Sequence, residues 1–180
     1  MRTFRLIILT VSLLWMLPDT YSQMPEAVYD STGIPADFVK DLNDTLTEIG
    51  GLQARIRLPR YFEPFALEGN AGFIHEGSGT SILAFKYPGI VYTAYTAMLN
   101  ASTFSEQESV LLEKLYLTQY DGKSAIAYVL RYQTELGSGI RFMYFTGDLQ
   151  NMYYLVASTP EVVSTMVRNV ILMSFRTLEY

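Results

Sequence analysis

Two stretches near the C-terminal half constrain the fold most. In 124–132, Ala125, Ala127 and Val129 alternate with Ile126, Tyr128, Leu130 and Tyr132. In 140–145, Ile140, Phe142 and Tyr144 alternate with Met143 and Phe145. A strand with one wet face alternates apolar and polar residues. These strands are apolar on both sides, so their sheet needs a covering layer on each face. Asp121-Gly122, Gly137-Ser138-Gly139 and Gly147-Asp148 separate the runs and predict short hairpins. With Gly137-Ser138 as a two-residue turn, Arg131 would lie opposite Tyr144 and Gln133 opposite Phe142.

The covering layers are predicted as helices. Val163, Met166, Val167, Val170 and Ile171 form an apolar stripe, with Ser158 and Glu161 as a capping box and Pro160 in the first turn. Ile90, Val91, Ala94, Tyr95, Ala97 and Met98 predict a second helix of about ten residues. Phe38, Leu42, Leu46 and Ile49 predict a short helix over 36–49, ended by Gly50-Gly51. Strands are expected at 54–58, 71–75 and 81–87, with an aromatic loop at Tyr61–Phe65. The end, 175–180, is expected to pair back as a short strand. The fold class is therefore α+β: an α/β/α sandwich around an antiparallel sheet of six or seven strands.

The N-terminus has a different composition. Arg2 and Arg5 precede an apolar run from Leu6 to Leu17, Pro18 breaks it, and Thr20-Tyr21-Ser22 offers small residues for cleavage. This is the layout of a secretory signal peptide, and the run is shorter than the roughly 20 residues of a membrane span. The expected organisation is a signal at 1–22, a lead-in at 23–51 with a possible short helix, and one domain at 52–180. The expected location is periplasmic or secreted, with no stable membrane insertion after cleavage. What remains has 11 basic and 17 acidic residues, net −6. An acidic domain with scattered cations is a poor partner for nucleic acid. The chain has no cysteine, which excludes disulfides, thiolate metal sites and a cysteine nucleophile.

Candidate chemistry is sparse. His75 is the only histidine, which excludes histidine metal clusters. It reads as a surface or capping residue rather than the base of a site with Ser78 or Ser81. Gly77-Ser78-Gly79-Thr80-Ser81 has neither a Walker lysine nor a following helix, and reads as a turn. Glu106, Glu108 and Glu113 read as a solvated strand entrance. No metal or cofactor is expected. The unusual feature is fourteen tyrosines and ten phenylalanines. Tyrosine buries a ring and keeps a wet tip, so it suits layer rims and binding surfaces alike. A binding cleft between sheet and helix would draw on Tyr87, Tyr92, Tyr95, Tyr132 and Tyr144, with Arg131 or Arg141 supplying charge. Asn43-Asp44-Thr45 and Asn100-Ala101-Ser102 are glycosylation acceptors only in a eukaryotic secretory path.

The order of landmarks resembles the PsbP/Mog1-like superfamily, in particular the small exported bacterial proteins of that fold. The marks are the loop Leu58-Pro59-Arg60-Tyr61-Phe62, a hairpin from Phe73-Ile74 to Ile82-Leu83, and a short helix. A strand ending in Asp121-Gly122-Lys123, two more strands and a helix opening Ser158-Thr159-Pro160-Glu161 complete the order. The resemblance covers roughly 52–178. It implies an α/β/α sandwich and no catalytic set: members are accessory or binding proteins, such as photosystem assembly subunits and a small-GTPase regulator. The regulator's basic patch has no clear counterpart here. The expected function is a non-catalytic exported accessory or protein-binding module. Its competitors are a small-ligand carrier with an aromatic cleft and an enzyme with an unrecognised site.

Overall fold

A computed structural model describes residues 41–67, 70–135 and 137–180. The signal peptide expected at 1–22, the lead-in up to residue 40 and the first part of the predicted 36–49 helix lie outside them. Nine strands and three helices follow in order: β1 (Thr47–Ile49), β2 (Ala54–Ile56), β3 (Glu63–Leu67), β4 (Asn70–His75) and β5 (Thr80–Pro88); then α1 (Tyr92–Ala97), α2 (Ala101–Ser105), β6 (Ser109–Thr118), β7 (Ser124–Thr134), β8 (Gly137–Gly147), β9 (Asn151–Pro160) and α3 (Glu161–Phe175). Seven strands form one antiparallel sheet in the order β3-β4-β5-β9-β8-β7-β6, and β1 and β2 pair separately.

Strand alternation divides the apolar residues between two cores, as the two-sided patterns require. On one face Ala127, Val129, Phe142, Tyr144, Leu155 and Ala157 meet α3 through Val167, Val170, Ile171 and Phe175; Ile49 and Ile56 of the small hairpin join them. On the other face Leu83, Phe85, Tyr128, Met143, Phe145 and Tyr154 meet α1 and α2 through Tyr92, Tyr95 and Phe104. The sandwich is complete, with one long helix on one side and two short ones on the other.

Several local expectations are corrected. Residues 41–49 are not helical: Leu42 bridges Pro59, and β1 pairs with β2. Gly50-Gly51 turns a hairpin there instead of ending a helix, and Ile49 is buried in the core of the domain. The aromatic stretch at Tyr61–Phe65 runs into the edge strand β3. α1 spans six residues, and its buried side chains are Tyr92, Tyr95 and Thr96 rather than Ala97 or Met98. A helix without a predicted counterpart, α2, is capped by Asn100, whose side chain accepts from the Ser102 and Thr103 amides while Thr103 returns the bond. The acceptor sequence at Asn100 thus contains a capping box.

β9 continues to Pro160 because Gly139 pairs with it. Ser158 is therefore a strand residue, and α3 starts without a side-chain cap. Its stripe is Val163, Val167, Val170, Ile171 and Phe175, while Met166 turns outward. The C-terminus pairs back through a single bridge, Glu179 to Arg55, exchanging two bonds of 2.9 Å.

The outer surface of α3 is tied to the edge strand by Arg168, which donates to both Glu113 carboxylate oxygens at 2.5 and 2.7 Å. This pairing holds the Glu113 carboxyl below its usual value. A carboxylate with a depressed folded-state pKa stabilises above its unfolded value and loses that contribution as pH falls through the folded value. Both side chains are about a third or more exposed, so solvent screening limits the pair to about 0.5–1 kcal/mol. Glu113→Gln should lower stability by that amount at neutral pH. The gap should begin to narrow as the pH falls below 4.5 and close only below the depressed folded-state value, measured by urea unfolding across an acid series.

Candidate functional site

The predicted site residues separate into three groups, because adjacent strand positions point to opposite faces. Tyr87 of β5 and Tyr92 and Tyr95 of α1 lie on the short-helix face. The rings of Tyr87 and Tyr95 join a continuous aromatic layer, and Tyr92 packs in the same core. Phe145 stacks on Tyr154 at 4.7 Å between centroids, Tyr95 tilts onto Phe145 at 5.6 Å, and Phe85 bridges Tyr154 and Tyr87 at 5.6 and 6.4 Å. Burial pushes the Tyr87 phenol up to about 12 and raises Tyr95 and Tyr154 above the ordinary tyrosine range. All three stay neutral, and their rings pack as apolar surface in the core. The Tyr128 hydroxyl donates to Thr96 O at 2.8 Å and ties this layer to α1. The Tyr87 hydroxyl is buried with no hydrogen-bond partner among the described residues.

Tyr144 belongs to the opposite face. It is buried beneath Phe175, with ring centroids 5.5 Å apart. Its expected position opposite Arg131 is corrected by the register. Thr134 pairs with Gly137, so the chain reverses between them, and Arg131 lies opposite Ile140. The turn thus comes before Gly137-Ser138. The slip is four residues, so the face of each side chain survives.

Arg131, Tyr132 and Arg141 all lie near the end of the sheet where β7 finishes and β8 begins, Tyr132 and Arg141 on one face and Arg131 on the other. Tyr132 lies across Gly139, where an added Cβ would sit 2.5 Å from the ring. Only glycine admits so close an approach. The Arg141 guanidinium stacks 4.5 Å from the centre of the Tyr132 ring, and its Nε donates to Ser158 Oγ at 3.3 Å. Arg131 points to the other face and lies 3.9 Å from Glu161, the first residue of α3. Two apolar side chains flank this group. Val110, paired with Arg131, is 53% exposed, and Val162, next to Glu161, is 74% exposed. One end of the sheet therefore presents Val110, Arg131, Tyr132, Arg141, Glu161 and Val162. The sequence flags the two arginines and the tyrosine. It does not flag the valines, since no pattern reveals which apolar residues a sheet end leaves uncovered.

His75 caps the 3₁₀ turn Glu76–Ser78. The Ser78 amide donates to Nδ1 at 3.1 Å, and Ser78 Oγ lies 2.9 Å from the same nitrogen. A nitrogen that accepts carries no proton, and burial lowers the pKa of His75, so the ring is neutral. Ser78 Oγ donates to Thr80 Oγ1 at 2.8 Å, and Thr80 meets Thr159 at 2.9 Å. The hydroxyl chain fastens the turn to β9. Among the described residues no cluster of three His, Asp or Glu side chains could hold a metal ion. No helix there is long and apolar enough to cross a membrane.

This architecture, a seven-stranded antiparallel sheet between one long and two short helices, with a small two-stranded sheet beside it, is the PsbP/Mog1-like fold. Cyanobacterial PsbP from Synechocystis aligns with a TM-score of 0.52 at 12% identity, covering 75% of this chain and 91% of that one. LpqN of Mycobacterium tuberculosis, involved in cell envelope biogenesis, aligns with a TM-score of 0.55 at 11% identity, covering 77% and 91%. No protein-family model matches the chain. No curated protein sequence matches it.

Proposed function

We propose that this chain is an exported, non-catalytic accessory module that binds another protein. The signal peptide read at 1–22 carries it out of the cytoplasm, and the 52–180 domain presents the binding surface. The observation that supports the reading is the end of the sheet, where exposed Val110 and Val162 lie beside Arg131 on the α3 face and the Tyr132–Arg141 stack lies on the other. Tyrosine and arginine are enriched in protein interfaces, and exposed aliphatic groups beside them supply apolar area. Arg141 is held in place by Ser158 and the Tyr132 ring, so a partner would meet a pre-ordered cation. Tyr92, Tyr95 and Tyr144 support this surface from within and do not touch the partner, while Tyr87 lies at the half-buried rim of the aromatic layer. LpqN, involved in cell envelope biogenesis, shares the fold and is consistent with a role outside the cytoplasm.

The test is a photo-crosslinking residue placed at Val162 and, separately, at Leu149. Leu149 is 85% exposed in the β8–β9 turn at the far end of the sheet. In the native host, position 162 should capture one discrete protein, and Arg141→Ala should abolish the product. Equal labelling from both positions, or none at 162, would defeat the assignment.

A further inference from the structure

The open edge of the sheet carries an inference separate from the end surface. β6 is an outermost strand of ten residues, and outermost strands expose unpaired main-chain groups. Which groups are free follows from the register. Gln119 N donates to Lys123 O at 2.8 Å, and Thr118 pairs with Ser124. Antiparallel ladders alternate between residues that bond their neighbour and residues that point away. Gln119, Leu117 and Leu115 therefore bond toward β7, and Thr118, Tyr116 and Lys114 point outward. The far end of this edge is already occupied: Arg176 Nε donates to Thr118 O at 2.7 Å, and Tyr120 N donates to Arg176 O at 3.1 Å. At the near end a bulge between Leu111 and Glu113 breaks the ladder. Among the described residues the regular open edge is thus reduced to the N–H and C=O groups of Lys114 and Tyr116.

We propose that this edge pairs with the same edge of a second copy, antiparallel, about a two-fold axis through Leu115. In that register Lys114 lies opposite the second copy's Tyr116, and Tyr116 opposite its Lys114. Every free main-chain group of the window then gains a partner. The side chains agree. Lys114 lies 5.4 Å from the centre of its own Tyr116 ring and 5.3 Å from that of Tyr128 on β7, so it already rests between tyrosine rings on this face. Tyr116 is 75% exposed, and each lysine would cover the facing ring. Neighbouring registers fail. An axis through Lys114 sets Lys114 against itself, and like charges directly opposite destabilise a sheet; one through Glu113 sets Lys114 against Leu112, the extra residue at the bulge, where the ladder is broken. An axis through Tyr116 aligns Lys114 with Thr118, whose carbonyl Arg176 already holds. The contact is short, so the dimer belongs to the weak class of interfaces.

Sedimentation of the full mature chain should show its mean mass rising from one copy toward two between about 1 µM and about 1 mM, the span of weak association. Tyr116→Pro should remain a single copy throughout with an unchanged melting temperature, because its lost N–H faces away from β7. Should that variant fail to fold, amide exchange of the wild type decides. Lys114 and Tyr116 amides should slow at least about tenfold as concentration rises, while Leu115 and Leu117 stay constant. A wild-type mass fixed at one copy, concentration-independent exchange at Lys114 and Tyr116, or a folded Tyr116→Pro that still doubles would each overturn self-pairing. A single copy alone in solution would leave the edge to a strand from a different protein. The end surface keeps its own cross-linking test.

Discussion

Val167→Asp should yield no folded protein. Val167 has no solvent exposure and sits where α3 crosses the sheet, among the first core's side chains. A carboxylate there would sit among apolar side chains, and burying one unpaired costs several kcal/mol even after its pKa adjusts. The removed apolar contacts add about 1.5–3 kcal/mol. The sum is comparable to the whole stability of an ordinary domain, about 5–15 kcal/mol. Truncation after Thr159 should fail for the same reason, since it removes the entire layer. The neighbouring Met166→Asp is the discriminating control. Met166 is 38% exposed, so its carboxylate stays in water and the melting temperature should change little. Circular dichroism of the two variants side by side checks the claim. A folded Val167→Asp would make α3 an appendage.

The second large effect belongs to the opposite face. Phe145 is 1% exposed and touches Tyr95, Tyr128 and Tyr154, so the short-helix core is organised around it. Phe145→Ala should destabilise by about 3–5 kcal/mol through lost transfer energy and the cavity left behind. Tyr87→Phe should do the reverse in sign. The Tyr87 hydroxyl is buried without a partner, and deleting an unsatisfied polar group removes its desolvation penalty, worth about 1–3 kcal/mol. Chemical denaturation of both variants separates packing from binding. A destabilised Tyr87→Phe would mean that the hydroxyl is engaged in solution.

The sandwich was legible because Tyr128 and Leu130 on one side and Ala127 and Val129 on the other cannot all be buried by a single layer. The hairpin at Asp121-Gly122 was legible for the opposite reason: its signal is local. What escaped was decided by tertiary partners. The helical spacing of Leu42, Leu46 and Ile49 is real, but Ile49 is buried by pairing β1 with β2, and short segments follow their partners more than their period. Ser158 and Glu161 spell a helix cap, yet Ser158 has strand neighbours in both Ser81 and Arg141, and the longer ladder prevails. Asn100 heads a sequon that matters only in a eukaryotic secretory path, and its role as the cap of α2 was hidden because the residue three positions on is Thr103 rather than the Glu or Gln of the usual capping signature. The tyrosines could not be sorted at all by sequence. Tyr144 and Tyr132 have the same chemistry and both faces of the sheet are covered; Tyr144 lies mid-strand beneath Phe175, whereas Tyr132 lies near the end of β7, beyond the layer that buries Tyr128 and Leu130.

Native mass spectrometry of the protein isolated from its own host tests the functional account most directly, because it weighs partner, ligand and processing together. The account predicts a chain beginning at Gln23, carrying no small molecule, in a complex with one other protein that Arg141→Ala releases. A mass equal to one or two copies plus a stoichiometric small molecule would contradict it. The aromatic layer around Tyr87 would then be the binding site and the sheet end only surface.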